Sequence, residues 1–201
     1  IAVVTAELGA HPDALFRHFE PEPLASASIA QVHAAELVDG TEVVVKVQRP
    51  GIAPRLRDDL TILQRLARLL ERTSSKGRMA NPVAVVEDFA TTLAHELNFV
   101  VEARSMERFA ANLRAYGTND QVRVPTVHWP LTTPRVLTME RIHGFKIDDL
   151  ACLGTTGWDL PTALKRGVRA WMEGALQHGF FHGDVHAGNL MLDTDGNIVF
   201  L

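Results

Sequence analysis

Residues 178–192 read HGFFHGDVHAGNLML, and this stretch limits what the chain can fold into. An acid, Asp184, is followed five positions later by an amide, Asn189. Between them lie Val185, His186, Ala187 and Gly188, too small and irregular to extend a helix. Upstream, Leu164, Val168, Met172, Ala175 and Leu176 recur with helical period. Downstream, the apolar runs 190–192 and 198–200 predict two strands around a turn at 193–197. The acid and the amide therefore sit on a loop between a helix and a hairpin, held by rigid elements on both sides.

That spacing has a chemical use. An Asp with an Asn five positions on is the catalytic-loop spacing of kinase-like phosphotransferases. The Asp184 carboxylate can accept the proton of an attacking hydroxyl. The Asn189 amide oxygen can ligate a magnesium ion that offsets phosphate charge. The bare pair is a weak signal, since any polar loop can carry it. His182, the apolar Phe180 and Phe181, and the hairpin that follows strengthen it. His178, His182 and His186 are also spaced four apart, as zinc ligands on a helix would be. Gly179, Gly183 and Gly188 argue against a helix there.

A second constraint lies near the N-terminus. Residues 5–19 predict one or two short helices burying Leu15, Phe16 and Phe19, ended by Pro21 and Pro23. Residues 29–38 and 41–47 read as strands, and Asp39-Gly40 is a two-residue hairpin turn. The second strand places Val43, Val45 and Val47 on one face, with Val44 and Lys46 on the other. A lysine among valines is costly unless its ammonium reaches water or an anion. It either blunts an edge strand or grips nucleotide phosphates while pairing with a helix carboxylate. Four small residues, Ala25, Ser26, Ala27 and Ser28, precede the first strand and allow close backbone approach to a ligand.

Leu56, Leu60, Leu63, Leu66 and Leu70 predict an amphipathic helix over 53–73. Its Arg55, Arg57, Arg65, Arg68 and Arg72 form a solvated face, with a membrane surface as the alternative partner. Asn81 and Pro82 then start a long helical stretch reaching about Ala115. Within it, Glu96 and Glu102 are six apart, roughly 120° around one straight helix, so both cannot serve the same lysine. Asn98 and Glu102, four apart, share a face. Residues 122–127 and 136–139 read as strands. In a two-lobed fold the hinge falls here, with backbone groups of Met139, Glu140 and Arg141 meeting an adenine edge. Residues 148–157 are loop or short helix, and Asp159 before Pro161 starts the helix leading to the Asp184 loop.

The net charge of −4 gives no electrostatic support for nucleic-acid binding. The single cysteine, Cys152, cannot form an internal disulfide, which fits a reducing compartment. No run of about 20 apolar residues is present to span a membrane.

Taken in order, PLASASIAQVHAAEL, VVVKVQRPGI, ELNFVVEA, VLTMERIHGF and FFHGDVHAGNLML resemble the UbiB/AarF family of atypical kinases. The resemblance covers about residues 20–201. It implies an α+β, protein-kinase-like fold: an N-lobe antiparallel sheet with helices, and the start of a helical C-lobe. Residues 1–22 would be an N-terminal helical segment, 23–141 an N-lobe with inserted helices, and 142–201 a partial C-lobe. It implies ATP and magnesium as cofactors. An alanine-rich loop at Ala25, Ser26, Ala27 and Ser28 would contact the nucleotide, with Lys46 as the nucleotide lysine. Asp184 would be the catalytic carboxylate, Asn189 the metal ligand and Glu102 the helix carboxylate that pairs with Lys46. The family's E-x-D falls on Glu96 and Asn98, with Glu96 facing an N-terminal K-x-G-Q segment. Asn98 stands where the family has Asp, and Ala187 where it has Pro. The D-F-G segment is expected directly after Leu201, so the chain is expected to behave as a core fragment with little activity of its own. Isoprenoid-quinone biosynthesis, with lipid or quinone-biosynthesis proteins as partners, follows from the resemblance alone. So does a cytoplasmic location, at the inner face of the membrane if peripheral. Competing readings are a small-molecule kinase of the aminoglycoside/choline type and a regulatory pseudokinase.

Overall fold

The computed structural model describes residues 1–73, 79–115, 118–181, 183 and 185–201. The chain divides into two compact units: Ile1–Glu102 with Trp129–Thr138, and Ala103–His128 with Met139–Leu201.

The first unit is built on the predicted hairpin, but its loop holds three residues, Val38, Asp39 and Gly40, between the facing Leu37 and Thr41, where a two-residue Asp39-Gly40 turn was expected. Gly40 adopts φ 89°, and the Asp39 carboxylate accepts from the Thr41 N–H at 2.9 Å. That turn joins β3 (Ala30–Glu36) to β4 (Glu42–Gln48), paired from Ala30↔Gln48 to Glu36↔Glu42. Two short strands, β1 (His18–Phe19) and β2 (Ala25–Ser26), line opposite ends of β3, and β6 (Val136–Glu140) flanks β4. Val43, Val45 and Val47 are buried with Val3, Val4, Phe16, Phe19, Ala35 and Val136. Helices α1 (Ala2–Leu8) and α2 (Pro12–Leu15) cover that core. Leu15, expected inside, is half-buried.

Helix α3 (Ile52–Thr73) lies against α4 (Pro82–Glu96), and the Val83 N–H donates to Glu71 Oε1. The predicted leucine stripe is only partly covered. Leu56 and Leu60 are half-buried, whereas Leu63, Leu66 and Leu70 are exposed beside Ile62 and Leu69. Asn81 holds the N-cap position with φ 45° but makes no side-chain cap bond.

The single helix expected over 81–115 is broken. α4 ends at Glu96 and α5 (Phe99–Ala115) begins three residues later. The Asn98 side chain accepts from the Val100 N–H at 3.1 Å, and the Asn98 carbonyl accepts from Val101 at 2.9 Å. An asparagine that satisfies the first N–H groups of a new helix ends the old one.

The second unit carries a sheet ordered β5 (Val122–Arg123), β9 (Ile198–Phe200), β8 (Leu190–Asp193), β7 (Gly144–Lys146). The strand expected over 122–127 stops at Arg123. Pro125 lacks an N–H to continue a ladder, and Val127 makes only an isolated bridge to Met139. Strand β7 was not foreseen; its three residues carry no alternation long enough to read. Helices α6 (Leu150–Thr156) and α7 (Leu160–Gln177) complete the unit.

The helical period read before the Asp184 loop is found as α7, which packs through its small residues. Its buried residues are Ala163, Gly167, Ala170 and Gly174, while Val168, Met172 and Leu176 are exposed. Close packing selects the small residues. A Cβ on Gly167 would lie 2.6 Å from Ile198 Cδ1, and one on Gly174 2.8 Å from the Phe180 carbonyl oxygen. The unit's core gathers Phe109, Leu113, Val122, Leu153, Leu190, Leu192, Ile198 and Phe200.

Candidate nucleotide-binding elements

Lys46 points away from the valine core, because successive strand residues alternate faces. Its ammonium donates to both oxygens of Glu102, at 2.8 and 2.9 Å, and lies 5.0 Å from the centre of the Phe99 ring. Phe99 is fully buried; Lys46 and Glu102 are partly exposed. The expected partner is therefore the one found: Glu102, in the first turns of α5. Glu96 is the exposed last residue of α4. Among the described residues the ion pair uses two of three ammonium donors and leaves one for an anion.

The small-residue segment shares this face. Ala25 pairs with Val32, and Val32 with Lys46, in one transverse row across β2, β3 and β4. Directly paired residues of antiparallel strands project to the same side, so Ala25 and Lys46 do. The Ala27 N–H donates to the Ala30 carbonyl at 2.8 Å, and the Arg49 guanidinium donates to the Ala27 carbonyl at 3.0 Å. Ala25, Ser26, Ala27 and Ser28 are all exposed, and their own side chains are small.

The second unit holds the other candidates. Met139 and Glu140 end β6, and Arg141 follows it. The Glu140 N–H donates to the Thr126 carbonyl at 2.8 Å, and Glu140 Oε2 accepts from the Thr126 N–H at 3.1 Å. Glu140 Oε1 is ion-paired with Arg123, whose guanidinium also reaches Asp193 Oδ2 at 3.3 Å. The Glu140 carboxylate is thus committed to structure. Arg123 and Asp193 escaped the sequence reading, since neither lies in a periodic or motif position.

Asn189 closes a 3-10 turn, Ala187–Asn189. Its N–H donates to the His186 carbonyl, and its own carbonyl accepts from the Leu201 N–H, both at 2.9 Å. His186 Nδ1 accepts from the Gly188 N–H at 3.0 Å, and a Cβ at Gly188 would sit 2.9 Å from the imidazole. His178 caps the end of α7 and His186 caps the 3-10 turn, so these two share no helix. Asp184 and His182 lie outside the described residues, and with them the expected placement of Asp184 within reach of Lys46.

Among the described residues no cluster of three His, Cys, Asp or Glu side chains could hold a metal. Asn189 offers a hard oxygen of the kind magnesium takes, but one neutral donor does not make a site. The described residues alone do not fit a resident magnesium ion. The polyphosphate fits better: a partly exposed ammonium, fixed on one face with an open backbone segment.

Comparison with known proteins follows the same line. The sequence model of the ABC1 atypical kinase-like domain matches residues 1–201. An uncharacterized protein of Mycobacterium tuberculosis is 52% identical over 194 residues, covering 96% of this chain and 40% of that protein. A "Probable protein kinase UbiB" of Azotobacter vinelandii is 42% identical, covering 96% of this chain and 36% of its own length. The chain thus spans well under half of these relatives. A Mycobacterium tuberculosis protein solved as a complex with erythromycin superposes with a TM-score of 0.82 at 34% identity, covering 99% of this chain and 49% of that one. By fold, by motif order and by sequence, the chain belongs to the ABC1 atypical kinase-like family, in which its motifs resemble those of UbiB and AarF.

Proposed function

We propose that the protein carrying this chain binds ATP with magnesium and uses it as an atypical kinase or ATPase of the UbiB type. The observation that carries the reading is the Lys46–Glu102 pair beside the open Ala25–Ser26 strand on one sheet face. Lys46 would hold phosphate oxygens with its remaining donor. The backbone of Ala25, Ser26, Ala27 and Ser28 would accept close approach of the phosphates. Backbone groups of Met139, Glu140 and Arg141 would read the adenine edge. Asp184 would accept the proton of the attacking hydroxyl. Asn189 would contribute to a metal site completed by further donors. When bound, magnesium would offset phosphate charge. Support for isoprenoid-quinone biosynthesis, and peripheral contact with a membrane, extend the same reading.

The test is ATP binding and hydrolysis by the full-length protein, with Asp184→Asn and Lys46→Met as controls. Nucleotide binding that survives Asp184→Asn, while hydrolysis is lost, is the expected result. Hydrolysis unchanged by Asp184→Asn would place the chemistry elsewhere.

A further inference from the structure

Gln48 is a polar side chain only 1% exposed, two residues beyond Lys46 on β4. Two residues apart on a strand, both side chains project to the same face. A buried amide is costly unless bonded, and the Gln48 Nε2 donates to the Leu97 carbonyl at 2.9 Å. Leu97 sits in the break between α4 and α5. In an unbroken helix its carbonyl would accept from the Val101 N–H. Here that N–H goes to Asn98, at 2.9 Å. The break thus leaves a carbonyl over, and Gln48 takes it.

The bond is one side of a closed circuit. The Gln48 N–H donates to the Arg135 carbonyl at 3.0 Å, and the adjacent Pro134 carbonyl accepts from the Phe99 N–H, also at 3.0 Å. Residues on both sides of the break are therefore tied to the sheet. Leu97 is held by the Gln48 side chain, and Phe99 by Pro134, the residue next to the one that the Gln48 N–H bonds, both just before β6. Phe99 then lies under the Lys46 ammonium, and Glu102 faces it.

We propose that Gln48 is a positioning residue: by fixing where α5 begins, it sets Glu102 and Phe99 against Lys46. Lys46 meets a carboxylate five residues past the carbonyl that Gln48 holds. A start displaced by one residue would rotate Glu102 by roughly 100° and take it off the lysine. The inference deepens the nucleotide reading of Lys46, on which its functional arm rests. The positional claim itself concerns only the ion pair.

The experiment is a double-mutant cycle with Gln48→Met, Glu102→Gln and the double variant, in the full-length protein. Met keeps the length of Gln and removes the donor; Gln48→Leu is the second variant should Met fail to fold. Urea denaturation and ATP affinity are read on each. Gln48→Met alone is expected to weaken ATP binding about three- to tenfold, the scale of one net hydrogen bond. In the Glu102→Gln background the same change is expected to have less than about a twofold effect, because the group it positions is gone. Hydrogen exchange of the Val100, Val101 and Glu102 amides should quicken in Gln48→Met. If wild type binds no ATP, the nucleotide reading of Lys46 fails while the denaturation cycle and the exchange still decide the positional claim. Additive effects in the cycle, or unchanged exchange at the start of α5, would overturn it.

Discussion

The Lys46 ammonium is chelated by Glu102, 2.8 and 2.9 Å from its two carboxylate oxygens, with the Phe99 ring beneath it. Three restraints hold the ammonium of one flexible side chain, so a ligand meets an ordered cation. Glu102→Gln removes the charge and keeps the shape. Charge-assisted hydrogen bonds are worth about 1.5–3 kcal/mol, discounted here because both groups are partly exposed, so kcat/KM for ATP should fall about tenfold. Lys46→Met should fall further, since it deletes the cation as well as its restraint. Steady-state kinetics on both variants check this order; equal effects would mean that Glu102 does no more than neutralise charge.

Asp184→Asn separates binding from chemistry. The amide cannot take a proton from an attacking hydroxyl, so turnover should drop about 10²- to 10⁴-fold. ATP affinity, measured by titration calorimetry, should change little. A matching loss of affinity would assign Asp184 to metal or phosphate binding instead.

Gly144 is where the fold tolerates no side chain. Paired with Asp193 across β7 and β8, it leaves a Cβ only 1.9 Å from the Leu192 carbonyl oxygen, a backbone atom that cannot swing aside. Gly144→Ala should destabilise by about 3 kcal/mol or more. Gly154, inside α6, has nothing within 4 Å of the same position, so Gly154→Ala should be neutral or stabilise by up to about 1 kcal/mol. Urea denaturation of the pair separates packing from helix propensity. Equal responses would contradict the β7–β8 register.

Asp159 caps α7, accepting from the Thr162 N–H at 3.1 Å. The Thr162 side-chain hydrogen bond, then its backbone N–H, hold the Asp159 carboxyl below its ordinary value. A carboxyl lowered in the folded state contributes stability that is present above the unfolded value and lost as pH falls through the folded one. Asp159→Asn keeps an acceptor but cannot titrate. The stability gap between the two proteins should therefore be present at about pH 7 and close towards about pH 3. A gap independent of pH would show that the cap acts through shape alone.

The hairpin, the amphipathic helices and the Lys46–Glu102 pairing were legible because each rests on local spacing or on a cost that one residue cannot escape. A lysine in a valine strand must reach water or an anion, and one straight helix could not aim both acids of ELNFVVEA at it. What escaped depended on partners distant in sequence. Nothing near Gln48 announces that a carbonyl 49 residues later will need a donor. The α7 periodicity was legible, but which of its faces is buried was not, since hydrophobicity does not tell a helix packed by small residues from one packed by large ones. The break at Leu97 and Asn98 hid inside a run with no glycine or proline, where one capping asparagine decided the outcome.

The connection at residues 37–41 does more than reverse the chain. Leu37 and Thr41 close it through a backbone bond of 2.8 Å, and Val38, Asp39 and Gly40 fill it. Strand faces alternate with a period of two, so this loop acts as a parity switch for everything downstream on β4. One residue added or removed there, with the loop otherwise re-closing, would send Val43, Val45 and Val47 outward and bury Lys46 and Val44 in their place. The charge that the whole site is arranged around would then lie in the core. A two-residue change would keep the faces and move Lys46 to a different row from Ala25. A loop that carries none of the proposed chemistry thereby counts out where the chemistry can occur.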